Sequence, residues 1–166
     1  MQKEKPVSND DRDRLYEIID DVSIAMLTTL EKDGSLHTRP MANQKADKHG
    51  AIWFFTEKNG TVAKNVENNA KLSLGYAGSG AYAVVAGKGR MVEDKAMIER
   101  LWSEAVLAWF PEGKDDPNLA LLRVDPDLGE YWSFPSAPVS RVVGYVKAKL
   151  TGEKADDMGV NKSMSL

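Results

Sequence analysis

The chain reads as a mainly β domain with flanking helices, an α+β fold whose six short strands close or nearly close into a small barrel. Three observations predict it. Short β-favouring runs recur along the sequence, Gly-containing turns separate them, and the helical segments are interspersed without a strict strand–helix alternation. The 166 residues fit a single domain with its own core, and no repeat, low-complexity stretch or linker divides them.

A first helix is expected over residues 8–21. Leu15, Ile18, Ile19 and Val22 recur at helical spacing, and Ser8 or Asn9 can cap its start. Residues 23–30 form a β-favouring run closed by Asp33-Gly34, a hairpin signal, and the second strand covers 36–41. A polar turn over 45–50 leads into the aromatic strand Ile52-Trp53-Phe54-Phe55-Thr56. The segment 60–69 reads as a short amphipathic helix with Val62, Ala63 and Val66 inward. A fourth strand over 71–76 ends at Gly78-Ser79-Gly80. The fifth, 82–92, is interrupted by Gly87 and Gly89, which signal a bulge or a barrel bend. Asp94 caps a helix bearing Ile98, Leu101, Trp102 and Ala105, followed by a loop over 110–117. Two β-rich runs, 120–124 and 130–134, precede a final helix or strand near 139–150. The polar tail from about residue 151 is expected to carry no packed element.

Composition excludes several functions. A net charge of −3 supplies no basic face for nucleic acid or anionic membrane. Cysteine is absent, which removes disulfides, thiolate nucleophiles and cysteine-based metal sites. The charged N-terminus has no apolar core of a signal peptide, and no apolar run approaches the ~20 residues of a membrane span, so a cytoplasmic location is expected. The two histidines, His37 and His49, lack helical metal-ligand spacing with a carboxylate, so no metal site is expected. Gly78-Ser79-Gly80-Ala81-Tyr82-Ala83 matches a dinucleotide fingerprint in form only, because a β-favouring run follows it where a helix is required.

The informative constellation is Arg39 in His37-Thr38-Arg39-Pro40-Met41 and Lys64 in Thr61-Val62-Ala63-Lys64, with the aromatic strand between them. Taken singly, each cation reads as a solvated surface charge. Together they suit a phosphate attached to a ring system. Pro40 marks a strand edge where backbone groups stay available, and Lys64 lies in the first turn of its helix. Thr38, Thr56 and Thr61 add neutral donors. Trp53 and Phe54 read as core, whereas Phe55 and Thr56 sit at the strand end nearer the anion. His37 shares the face of Arg39 by period-two geometry. Trp109-Phe110-Pro111-Glu112-Gly113 is hard to bury in a loop and suggests an interface or a ligand wall.

Arg39-Pro40-Met41, Trp53-Phe54-Phe55-Thr56, Lys64, Gly87-x-Gly89, Leu101-Trp102, Trp109 to Gly113 and Glu130-Tyr131-Trp132 together resemble the general stress protein 26 family. That family lies within the FMN-binding split-barrel, pyridoxamine 5′-phosphate oxidase-like group, and the resemblance spans roughly residues 10 to 135. It implies a split β-barrel homodimer with FMN at the subunit interface. By the same resemblance Arg39 and Lys64 hold the FMN phosphate, and Thr38, Met41, Phe55 and Thr56 line the ribityl chain and ring. Trp102, Trp109 or Trp132 would come from the other subunit. The oxidases' C-terminal Arg-x-His motif is missing, since no histidine follows His49, and Tyr82 falls near a position where they carry glutamine. The implied function is therefore an FMN-binding flavoprotein of the stress type, with oxidoreductase activity, substrate and small-molecule redox partner left open. The alternatives are an oxidase with an altered pocket and a non-catalytic module for flavin or another flat ligand. No residue stands out as a catalytic acid or base.

Overall fold

The computed structural model describes residues 8–44, 46–47, 50–134 and 160–166. Helix α1 (Asn9–Asp21) starts where Ser8 turns extended and its Oγ accepts the Asp11 N–H at 3.2 Å. Leu15, Ile18 and Ile19 form its buried stripe. Its last carbonyls are satisfied from outside the helix, as the Asn43 carboxamide donates to Ile19 O at 2.6 Å and Val22 O at 3.0 Å. Strands β1 (Ile24–Leu30) and β2 (Leu36–Ala42) form the expected hairpin. Gly34 holds a φ of +87°, the left-handed region that glycine enters without steric cost.

Strand β3 (Ile52–Glu57), helix α2 (Thr61–Asn68), β4 (Lys71–Ala77) and β5 (Ala81–Val92) follow, then α3 (Lys95–Leu101) capped by Asp94. Two 3-10 turns, Glu104–Ala108 and Gly113–Asp115, lead into β6 (Leu119–Ser133), and β7 (Val160–Ser165) completes the described chain. All strand pairs are antiparallel, in the order β2-β1-β4-β5-β6-β3, with β7 also on β6. The sheet's two ends meet where Gln44 pairs with Trp53 in a single bridge, its N–H donating to Trp53 O at 3.3 Å. This nearly closes the barrel.

Inside lie Ala25, Leu27, Ile52, Phe54, Leu72, Leu74, Val85, Leu122 and Val124, with α1 packed against the same cluster. Fully burying a side chain such as Phe54 contributes about 1.5–3 kcal/mol. A second cluster forms on the outer side of β3 and β6, where Trp53 and Leu121 meet Ile98, Val106 and Phe110. The alternation along β3 thus feeds two cores. Phe54 enters the barrel and Trp53 the outer cluster, where its indole N–H donates to Asp47 at 3.0 Å.

Three expectations are corrected. The runs at 120–124 and 130–134 belong to one 15-residue strand, β6. The bend predicted at Gly87 and Gly89 is real, but its extra residue is on the partner strand: Gly87 faces Pro126, Ala86 faces Leu128, and Asp127 is left unpaired between them. The polar tail contains β7, whose Met164 is buried, so the described sheet has seven strands where six were expected. The element expected over 139–150 lies outside the described residues, as do residues 45, 48 and 49 of the polar turn.

Gly87 has no room for a side chain. A Cβ there would fall on the Asp125 carbonyl oxygen and 3.0 Å from Pro126 Cα, both backbone atoms. Gly87→Ala is expected to destabilise the fold by about 1–3 kcal/mol in urea unfolding, and an unchanged midpoint would show that the bend tolerates a Cβ.

Candidate functional site

A cavity of about 530 Å³ opens beside the barrel, between the edge strand β2, the end of β3, the start of α2 and the 3-10 turn after α3. That volume suits a drug-sized or cofactor-sized ligand. Ile24, Met41, Val62, Phe55, Val106, Trp109 and Phe110 give it apolar and aromatic walls. Thr56, Thr61, Ser103 and Gln44 supply neutral polar groups, and among the described residues Arg39 and Glu57 are the charged ones in the lining.

Each wall follows from local sequence. Pro40 lacks an N–H, and among the described residues β2 pairs with β1 alone, so its other edge is left to the cavity. Period two sends Arg39 and Met41 to one side of β2, and Thr38 and Pro40 to the other. Helix α2 begins at Gly60, which offers no side-chain cap, and Gly60, Thr61 and Val62 all border the cavity. The helix therefore presents uncapped backbone N–H groups there, a favourable setting for an anion. Phe55 is backed edge-on by Trp102, with centroids 5.8 Å apart and ring planes at 84°. Trp109 lines the cavity while 68% exposed.

The Arg39 side chain is only 15% exposed, and its Nε is buried without a hydrogen-bond partner among the described residues. Its Nη2 donates to Thr29 Oγ1 at 3.1 Å and lies 3.7 Å from Glu31 Oε1. Glu31 Oε1 in turn meets His37 Nδ1 at 2.8 Å and accepts from Asn65 Nδ2 at 3.0 Å. Those hydrogen bonds, from Asn65 first and His37 next, hold the Glu31 carboxyl below the usual glutamate range.

Of the residues singled out in the sequence, the structure brings Arg39, Met41, Phe55, Thr56 and Trp109 together around the cavity. Thr61 joins them. Trp102 stands one layer behind Phe55. Lys64 is on the exposed side of α2, outside the lining, and Val62 occupies the wall instead. Thr38 is on the outer face of β2, its hydroxyl 2.8 Å from that of Thr28. Trp132 is paired with Tyr82 on the outer face of the sheet, away from the cavity. Sequence reading missed Thr29, Glu31 and Asn65. The signal was Asn65 itself, a polar residue on the face that also carries Val62 and Val66. Among the described residues no group of three His, Asp or Glu side chains is arranged to hold a metal, and no helix is long and apolar enough to cross a membrane.

A family model described as pyridoxamine 5′-phosphate oxidase like matches residues 10–156. The chain belongs to that family. General stress protein 26 of Bacillus subtilis (strain 168) is 31% identical over 125 residues, which are 71% of this chain and 85% of that protein. Among solved structures, a candidate general stress protein 26 from Jannaschia sp. CCS1 superposes with a TM-score of 0.77 at 28% identity, covering 96% of this chain and all of that one. The general stress FMN/FAD binding protein of Xanthomonas citri has a TM-score of 0.67 at 31% identity, covering 78% of this chain and 93% of its own. These likenesses agree with the split-barrel expectation.

Because its pKa is lowered on folding, Glu31 contributes stability that is present above its unfolded pKa and lost as pH falls through the folded one. Urea midpoints of the wild type should therefore drop more than those of Glu31→Gln as pH is lowered from neutrality to below the usual glutamate range. Parallel pH profiles would remove Glu31 from the network's energetics.

Proposed function

We propose that this chain is an FMN-binding flavoprotein of the general stress type, with the flavin in the cavity beside β2 and its phosphate on Arg39. The observation that carries this reading is Arg39, a largely buried cation in the lining of a mostly apolar and aromatic cavity, whose Nε has no hydrogen-bond partner among the described residues. A buried guanidinium donor left without a protein partner is costly, and an anionic oxygen satisfies it. The uncapped start of α2 adds backbone donors, and Thr56 and Thr61 add hydroxyls. Phe55, Met41 and Trp109 offer the flat apolar surface that an isoalloxazine ring needs. The FMN/FAD binding described for the Xanthomonas relative supports the same ligand class. In this arrangement Lys64 acts only as a nearby positive charge on α2.

When bound, the flavin would supply the redox chemistry, and the protein would place and shield it. Glu57 is solvent-exposed at the rim. In this reading the lining holds and orients its ligand, and among the described residues no buried acid or base faces it.

The reading includes a homodimer. The outer sheet face presents Ile24, Met26, Tyr82, Val84 and Leu128, each at least 40% exposed, in register across β1, β5 and β6. Ile24 and Pro40 belong both to this face and to the cavity wall, so a second copy seated there would cover the cavity mouth and bring its own aromatic residues, Trp132 among them, to the interface.

Titration of the purified protein with FMN, followed by visible absorbance, is expected to give stoichiometric binding. Arg39→Ala should weaken it about tenfold or more, as expected for loss of a charge-assisted hydrogen bond. Undiminished affinity in that variant means the phosphate is elsewhere. Val84→Arg places a charge in the centre of the outer face. It is expected to give a monomer in sedimentation with impaired FMN binding, and a variant that remains a dimer would move the interface to another surface.

A further inference from the structure

The anchor for the phosphate depends on an atom outside the cavity. Among the described residues, the one hydrogen bond made by the Arg39 guanidinium goes from Nη2 to Thr29 Oγ1 at 3.1 Å. Thr29 is 1% exposed, on the inner face of β1, and does not line the cavity. Its oxygen also accepts from Asn65 Nδ2 at 3.0 Å, so both lone pairs of the hydroxyl are engaged. Asn65, 5% exposed on α2, spends its remaining amide hydrogen on Glu31 Oε1 at 3.0 Å. The Glu31 carboxylate is 3.7 Å from Nη2, too long for a hydrogen bond.

We infer that Thr29 is the positioning residue of the Arg39 guanidinium, and that Asn65 fixes the direction in which the Thr29 hydroxyl offers its second lone pair. A guanidinium is a rigid planar fork, so one well-placed bond at Nη2 sets the plane and thus the direction of Nε. The same hydroxyl ties α2 to β1. It therefore fixes the relative placement of the two anion-binding elements, the guanidinium on β2 and the uncapped start of α2. Hydrophobic packing alone does not explain the arrangement, since a valine at position 29 would fill nearly the same volume but leave the Arg39 and Asn65 donors without their acceptor. This inference rests on the reading that Arg39 holds the flavin phosphate.

The test compares FMN with riboflavin, which has the same ring and no phosphate, on the full chain. Thr29→Val is expected to raise the Kd for FMN about tenfold and leave that for riboflavin unchanged, while Thr29→Ser restores wild-type FMN affinity. Asn65→Ala, which leaves Thr29 intact but undirected, should give a smaller loss with the same selectivity for FMN. It also serves if Thr29→Val fails to fold by circular dichroism. Equal weakening of both ligands, or no change in FMN affinity, overturns the positioning role. Arg39→Ala separates the two levels. If it weakens FMN while the Thr29 and Asn65 variants do not, this inference fails alone. If it leaves FMN unaffected, the placement of the phosphate fails and the inference with it.

Discussion

The architecture depends on one constraint, the bend in β6. A single strand pairs along its length with β5, and it must also hold β3 against its first half and β7 against its second. A flat strand cannot serve partners on a curved, nearly closed sheet, so the ladder changes register at Asp127. The bend needs no Cβ at Gly87, where the Asp125–Pro126 backbone approaches, and it uses a proline whose missing N–H costs nothing at an interruption. Leu166 N–H then donates to Asp127 O at 3.0 Å, so the chain's last residue closes over the bulged position. Through β6 the bend fixes β3, and through β3 it fixes the wall of the cavity that carries Phe55 and Thr56.

Much of this was legible in the sequence because it rests on local chemistry. The capping oxygens of Ser8 and Asp94, the Asp33-Gly34 turn and the alternation of β3 each act within a few residues. What was not legible depends on distant partners. Pro126-Asp127-Leu128-Gly129 has the composition of a turn, and only pairing with β5 makes it strand. Gly129 looks like a breaker, but its missing side chain is what admits Leu15 and Leu166. β7 has one buried residue, Met164, and its strand character comes from the free edge of β6.

The candidate site divides in the same way. Arg39 was identifiable because Pro40 marks an edge, and Phe55 because it ends an aromatic strand. Lys64 was the wrong side of its helix to join them in the lining. Residues 62, 65 and 66 form the buried stripe of α2, and position 64 points away from it. The helix lines the cavity through Thr61 and Val62, adds backbone N–H groups that no side-chain identity announces, and supports Arg39 from behind through Asn65, a polar residue with an apolar pattern's address.

Strand β2 shows how the sequence assigns two tasks to one short segment. Its residues 37, 39 and 41 face inward, where His37 and Arg39 join the Thr29–Glu31–Asn65 network and Met41 packs on the core. Residues 38, 40 and 42 face outward, in register with the exposed row that begins at Ile24 and Met26. A one-residue slip of the β1–β2 hairpin would exchange these sets, stranding a guanidinium on the apolar face and a proline in the polar network. The hairpin turn prevents it. Asp33 Oδ1 accepts from both Ser35 N, at 2.9 Å, and Ser35 Oγ, at 2.6 Å, and Gly34 N–H returns to Glu31 O at 2.9 Å. The tight turn that sets the register is thus next to Glu31, so the same few residues align the strand and build the polar support behind Arg39. Under the proposed function, one buried cation placed by this turn would specify the anion, and the reactivity would be left to the ligand.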